Sequence, residues 1–241
     1  MLVLFTDFGL EGPYVGQMKA VIEREAPGVA VIDLFHDAPA HDPRAAAYLL
    51  AAYARAFERG TALLCVVDPG VGSDERAPVV LQAGGRWFVG PDNGLFDVAA
   101  AQAGAAKYWE IALPGGPVSA SFHGRDVFAP AAARLARGEP PPGEARAWRS
   151  TRGWPDDLAE VVYIDRFGNG ITGLRANGLG ADARIAVGGR VLARAPTFAA
   201  VAEGSAFWYE NANGLAEIAV NRGRADAALG LAVGTALTVE D

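Results

Sequence analysis

ALLCVVDPGVG, residues 62–72, is the stretch on which the fold turns. Six apolar residues stop abruptly at Asp68-Pro69-Gly70. That is the length of a buried strand closed by an acid on a tight turn. Two similar runs lie upstream: LVLFT (2–6), ended by Asp7 and Gly9, and VAVIDLF (29–35). The segments between carry helical signals. Over 13–25, Val15, Met18, Val21 and Ile22 share one helical face after Pro13. Residues 42–58 are rich in Ala and Leu, and Asp42-Pro43 suits an N-cap and first turn. Strand, helix, strand, helix, strand predicts an α/β domain with a largely parallel sheet flanked by helices. Downstream, PVVLQ (78–82), RWFVG (86–90) and KYWEIAL (107–113) read as shorter strands, with helices expected near 95–103 and 124–137.

Pro140, Pro141, Pro142, Gly143, Gly153 and Pro155 then crowd one stretch. Their density predicts an α/β domain over 1–140 and a linker over 141–157. Beyond it, AEVVYID, RIAVGG, RVLARA, AFWYEN, LAEIAVN and TALTVE are short strand candidates separated by Gly and Asn. Residues 158–241 are therefore expected to form a smaller all-β, barrel-like domain.

Composition narrows the function classes. The 241 residues include 21 basic and 28 acidic side chains, for a net charge of −7. Such a balance argues against nucleic-acid partners, which need clustered Lys and Arg. A single cysteine excludes an internal disulfide or a Cys-based zinc site. Cys65, inside an apolar strand, reads as packing rather than as a nucleophile. No apolar run approaches a membrane span, and the N-terminus lacks the basic start of a signal peptide. A cytoplasmic protein without membrane partners is expected.

Chemistry-bearing residues collect where strands end. TDFG (6–9), VDPGVG (67–72) and GPDNGL (90–95) each set an Asp beside Gly, and the last adds Asn93 to Asp92. Each is also an adequate turn. Three at strand ends, where α/β sheets bind ligands, point to a site. In SFHGRDVFAP (121–130), His123 adjoins Arg125 and Asp126 at a helix start. In YIDRFGNGITG (163–173), Asp165, Phe167 and Asn169 offer a carboxylate, an aromatic face and an amide. His36, Asp37, His41 and Asp42 could ligate a metal, but a surface turn explains them and no third His is close in sequence. There is no P-loop, GxGxxG, GxSxG or HExxH. From the residues alone, the reading is an Asp-rich pocket for a small polar ligand.

TDFG, GPYVGQMKAVI, VDPGVG, GPDNGL, FHGRDVFAPAAA and DRFGN, in this order, resemble the S-adenosylmethionine hydroxide adenosyltransferases, hydrolase relatives of the fluorinase and chlorinase. The resemblance runs from Thr6 to about Gly223. It implies an α/β domain, a β-barrel domain and a homotrimer with sites between subunits. The implied reaction converts S-adenosylmethionine and water to adenosine and methionine, with no cofactor and no metal. It makes Asp68, Arg76 and His123 the catalytic triad. Asp7 is implied to hold the ribose hydroxyls, Asp165 to meet the methionine amine, and Phe167 and Asn169 to bind adenine. Asp92 and Asn93 are added as substrate-binding residues. Relatives carry Asn-Ser before the LEIA strand, whereas this chain reads ENANGLAEIAVN, with Ala212 in place of Ser. Backbone groups, or Asn211 and Asn213, are expected to compensate, and Asn211 is added to the substrate-binding residues. The competing readings are a sensor that binds S-adenosylmethionine without turnover, a chlorinase-like halogenase, and a metal-dependent hydrolase using Asp7, Asp68 and Asp92.

Overall fold

The computed structural model describes residues 1–241 except Asp74, Pro114, Thr151 and Asp241. The chain divides into two compact units, Met1–Trp154 and Pro155–Asp241.

The first unit begins with β1 (Leu2–Thr6), α1 (Tyr14–Glu25), β2 (Val31–Phe35), α2 (Pro43–Tyr53) and β3 (Ala62–Val66). Next come β4 (Pro78–Ala83), β5 (Arg86–Pro91), α3 (Asp97–Ala103), β6 (Ala106–Glu110), α4 (Ala129–Ala136) and β7 (Arg146–Ala147). Their sheet has the order β2-β1-β3-β5-β4-β6-β7. The β2-β1-β3-β5 pairings are parallel, and those of β4 with β5 and β6, and of β6 with β7, are antiparallel. Five of the seven strands therefore share one direction, as the βαβ pattern requires. All residues of β1 and β3 are buried, including Cys65, which is why both read as unbroken apolar runs. Asp42 caps α2 through Oδ1, which accepts from the Ala45 N–H at 2.9 Å, with Pro43 in the first turn. The core joins Leu2, Leu4, Met18, Ile22, Leu64 and Phe128.

The segment expected as a linker begins as part of this unit. Arg146–Ala147 adds the edge strand β7 to β6, and Asp97 accepts from Ser150 Oγ at 2.6 Å and the Arg152 N–H at 3.1 Å. Those bonds hold a Pro- and Gly-rich stretch whose composition alone signals only irregular backbone.

The second unit contains β8 (Leu158–Ile164), β9 (Gly170–Arg175), β10 (Arg184–Val187), β11 (Arg190–Leu192), β12 (Ala206–Glu210), β13 (Leu215–Val220), α5 (Ala225–Leu229) and β14 (Thr238–Glu240). Two antiparallel sheets, β12-β13-β9-β8 and β11-β10-β14, use all its strands. Isolated bridges from Glu160 to Ala236 and from Arg194 to Trp208 link the sheets at both ends, so the strands run round in a barrel-like ring. Trp208, Ile185 and Ile218 fill it.

Candidate active site

The chain leaves β1 for β2 on one side and returns to β3 on the other. That reversal makes the carboxyl ends of β1 and β3 a topological switch point, where open α/β sheets form ligand crevices. Asp7 follows β1 and Asp68 follows β3, so each end delivers one carboxylate. A cavity of about 530 Å³ opens there, a size that suits a nucleoside-scale ligand. Asp7, Asp68 and His123 line it with the rings of Phe8, Tyr14 and Phe122.

Asp68 and Arg76 form a buried bidentate pair: Arg76 Nε donates to Oδ1 at 3.0 Å and Nη2 donates to Oδ2. Arg76 Nη2 also lies 3.1 Å from His123 Nδ1. A guanidinium can only donate, so Nδ1 accepts and the ring proton sits on Nε2. Burial and then the Arg76 charge push the His123 pKa below its ordinary 6.5, against the pull of Asp68 and Asp126. The ring is thus a neutral imidazole whose remaining polar atom is a donor.

Local sequence explains how these groups stay in place. Gly72 adopts φ +82°, and a Cβ there would lie 2.5 Å from the Ala120 carbonyl oxygen. Only glycine lets the loop after β3 close against the loop that precedes His123. One π-helical turn, Gly124–Phe128, then leads into α4. A Cβ on Gly124 would come within 3.1 Å of Met18 Sδ and 3.3 Å of the Phe8 and Phe122 rings.

Asp7 accepts from the His41 N–H at 3.0 Å. Burial raises its pKa, and that bond opposes the rise. His36 Nδ1 is 2.9 Å from Thr6 Oγ1 and Nε2 is 3.0 Å from Asp33 Oδ1, so this imidazole braces the end of β1. Among the described residues, no three His, Cys, Asp or Glu side chains are grouped to hold a metal.

The other expected site residues fall elsewhere. Asp92 lines a separate cavity with Phe96, Tyr108 and Trp148, where burial and then the Asp97 charge raise its pKa. Asn93 is buried and spent on the backbone. Its Nδ2 donates to the Val67 carbonyl at 2.9 Å and its Oδ1 accepts from the Leu95 N–H at 3.2 Å, which fixes the residue before Asp68.

In the second unit, Asp165, Phe167 and Asn169 line one cavity of about 640 Å³. Phe167 is 74% exposed, an aromatic face without a cover. Asn211 is buried outside that lining. Its Oδ1 accepts from the Asn213 and Leu215 N–H groups at 2.9 and 3.1 Å, and its Nδ2 donates to Glu217, so it shapes its own turn. Glu217, buried and lining the cavity, was not singled out from the sequence. The available signal was an acid in the middle of the otherwise apolar LAEIAV strand.

The family model for the SAM (S-adenosylmethionine) hydroxide adenosyltransferase N-terminal domain matches residues 2–144, and that for the C-terminal domain matches 159–238. A Thermus thermophilus protein named (R)-S-adenosyl-L-methionine hydrolase is 45% identical over 249 residues, covering 95% of each chain. A Salinispora arenicola protein of the same name is 38% identical, covering 97% of this chain and 95% of its own. A crystal structure of an uncharacterized conserved protein from Thermotoga maritima superposes with a TM-score of 0.89 at 32% identity, over 100% of both chains. One of a conserved hypothetical protein from Thermus thermophilus gives 0.77 at 41% identity over 99% of both.

Proposed function

Because the chain belongs to the SAM hydroxide adenosyltransferase family, we infer that it hydrolyses S-adenosyl-L-methionine to adenosine and L-methionine. The observation that carries the mechanism is the Asp68–Arg76–His123 cluster at the cavity of the switch point.

Water attacks ribose C5′ in line with the C–S bond, from roughly 3–3.5 Å. The C–O bond forms, the C–S pair passes to sulfur, and methionine departs as a neutral thioether. No acid is needed at the leaving group. As the bond forms, the attacking water becomes an alkyloxonium, which is strongly acidic. A weak carboxylate base is enough to take its proton, and Asp68 is that acceptor. Each Asp68 oxygen receives one Arg76 N–H and keeps lone-pair capacity for the water. Arg76 neutralises the buried carboxylate and fixes both partners. His123 holds the water oxygen from Nε2–H and is an orienting donor rather than the base. Asp7 accepts from the ribose hydroxyls. Asp165 meets the methionine ammonium, and Phe167 with Asn169 receives the adenine.

The reading extends to a cytoplasmic homotrimer acting without cofactor or metal, in which one subunit's first unit and a neighbour's second unit complete each site. No helix among the described residues is long and apolar enough to cross a membrane. Light scattering is expected to give three times the chain mass, and activity is expected to survive chelator.

The deciding experiment is incubation with S-adenosylmethionine in ¹⁸O-water. Adenosine labelled at the 5′ oxygen, with equimolar methionine, is the expected outcome. Unlabelled adenosine removes direct attack by water, and no adenosine removes the hydrolase in favour of a sensor.

A further inference from the structure

The cavity that Asp92 lines has no part in the reaction above, and it shares no lining residue with the cavity of Asp7, Asp68 and His123. Its volume is about 420 Å³, enough for a small organic molecule. The strand period builds one wall. Val79 and Leu81 lie on one face of β4, and Tyr108 of β6 pairs with Leu81 and shares that face. The alternate residues, Val80 and Trp109, join the core on the other face. Phe96, which precedes α3, adds a second ring. Residues 146–150 supply the rest: β7 pairs with β6, and Ser150 Oγ is pinned to Asp97 at 2.6 Å, which keeps Trp148 and Arg149 at the cavity.

Two charged groups of this lining, Asp92 and Arg149, have neither a hydrogen bond nor an ion pair among the described residues. Asp97, close to Asp92, instead takes both Ser150 and the Arg152 N–H. Burial and then the Asp97 charge push the Asp92 carboxyl above its ordinary value, with Glu110 adding to the rise and Arg152 opposing it. A carboxylate drawn partly out of water without a donor is costly, and a ligand ammonium relieves that cost. The rings of Phe96, Tyr108 and Trp148 offer apolar area and electron-rich faces beside it. Arg146 lies 3.9 Å from Glu110, whereas Arg149 is exposed and keeps its donors for a ligand. A purely cationic ligand would meet the repulsion of the two guanidiniums, and a purely anionic one that of Asp92. A zwitterion satisfies both signs.

We propose that this cavity is a second ligand site, which takes a zwitterionic α-amino acid with an aromatic or large apolar side chain. Its ammonium meets Asp92, its carboxylate meets Arg149, and its side chain packs among Phe96, Tyr108 and Trp148. The planar guanidinium fork suits a carboxylate. Every lining residue belongs to the first unit, and the site does not depend on the hydrolase reading.

The test is titration calorimetry of the full chain with L-phenylalanine, with phenethylamine, which lacks the carboxylate, and with 3-phenylpropionate, which lacks the ammonium. L-Phenylalanine is expected to bind at one site per chain, at least about tenfold more tightly than either fragment. Asp92→Asn keeps the side-chain shape and removes the charge. It is expected to weaken L-phenylalanine at least about tenfold and not to weaken 3-phenylpropionate. Arg149→Gln is expected to bring L-phenylalanine to within about threefold of phenethylamine. That exposed substitution carries the test if Asp92→Asn does not fold. A wild type that does not bind L-phenylalanine, or binds the fragments as tightly, overturns the proposal. So does an Asp92→Asn variant with wild-type affinity. The second unit's cavity also holds a carboxylate, Asp165, so Asp165→Asn is titrated in parallel. Affinity lost in Asp165→Asn and kept in Asp92→Asn places the amino acid there and overturns the assignment, and the reverse pattern supports it. No S-adenosylmethionine is present, so this result and that of the ¹⁸O assay can fail separately.

Discussion

His123 and Arg76 divide the labour of the triad through one atom. Nδ1 accepts from the guanidinium, so the imidazole reaches the water with a proton already on Nε2. His123→Ala is expected to lower kcat about 10²–10³-fold, the usual cost of losing a preorganised donor. His123→Gln, which returns an N–H near the Nε2 position, is expected to stay within roughly tenfold of wild type. Equal losses in the two variants would make the imidazole a base and overturn this assignment. The pH profile follows from the same bond. The folded His123 pKa lies below 6.5. Activity and the associated stability are therefore full above that value and are lost as pH falls through the lower folded pKa. A kcat profile with its acid limb above pH 6.5 would contradict it. At this scale the motifs named Asp7, Asp68, Arg76 and His123, and the structure joins Asp68, Arg76 and His123 by hydrogen bonds while Asp7 lines one cavity with Asp68 and His123. The motifs did not reveal the tautomer, which needs a distance. Nor did they reveal that the side chains of Asn93 and Asn211 are occupied by backbone groups and Glu217, since turn amides and ligand amides look alike in sequence.

The element that most constrains the site is the loop after β3. Gly72→Ala combines a positive φ with a Cβ 2.5 Å from the Ala120 carbonyl oxygen, and backbone cannot yield as a side-chain tip does. The expected cost is about 1–3 kcal/mol, with kcat reduced because Asp68 shifts with the loop. The contrasting substitution is Gly16→Ala. Gly16 lies in α1 with nothing within 4 Å of its added Cβ, so alanine is expected to stabilise by about 0.5–1 kcal/mol. Paired thermal melts check both signs, and a stabilised Gly72→Ala would show that the loop gives way. The sequence made β1, β3 and the Asp42-Pro43 start of α2 legible because burial and capping leave local marks. The helix expected over 42–58 ends instead at Tyr53, followed by one 3₁₀ turn. The insertion of β5 between β3 and β4 left no local mark, because it is a matter of long-range pairing.

Across the whole molecule, Asp7, Asp92 and Glu217 are all held above their ordinary pKa values, burial being the first cause in each. Their contribution to stability is full below the ordinary values of 3.8 and 4.5 and is lost as pH rises through the raised folded values. The Tm of Glu217→Gln relative to wild type is therefore expected to climb from pH 4 to pH 8, at about 2–4 °C for each kcal/mol in a chain of this size. A difference flat across that range would mean that Glu217 carries no buried charge. Two units were legible because the residue pattern changes from helix-bearing to short strands. The exact limit was not, because hydrogen bonds to Asp97 rather than composition keep Ser150 and Arg152 with the first unit. Cys65, sealed in the central strand and with its thiol pKa raised by burial, gives the molecule an internal clock. A thiol reagent has nothing to modify until β3 is exposed, so the labelling rate counts opening events of the first unit, and a cysteine installed at exposed Phe167 would accept a dye while Cys65 stays dark.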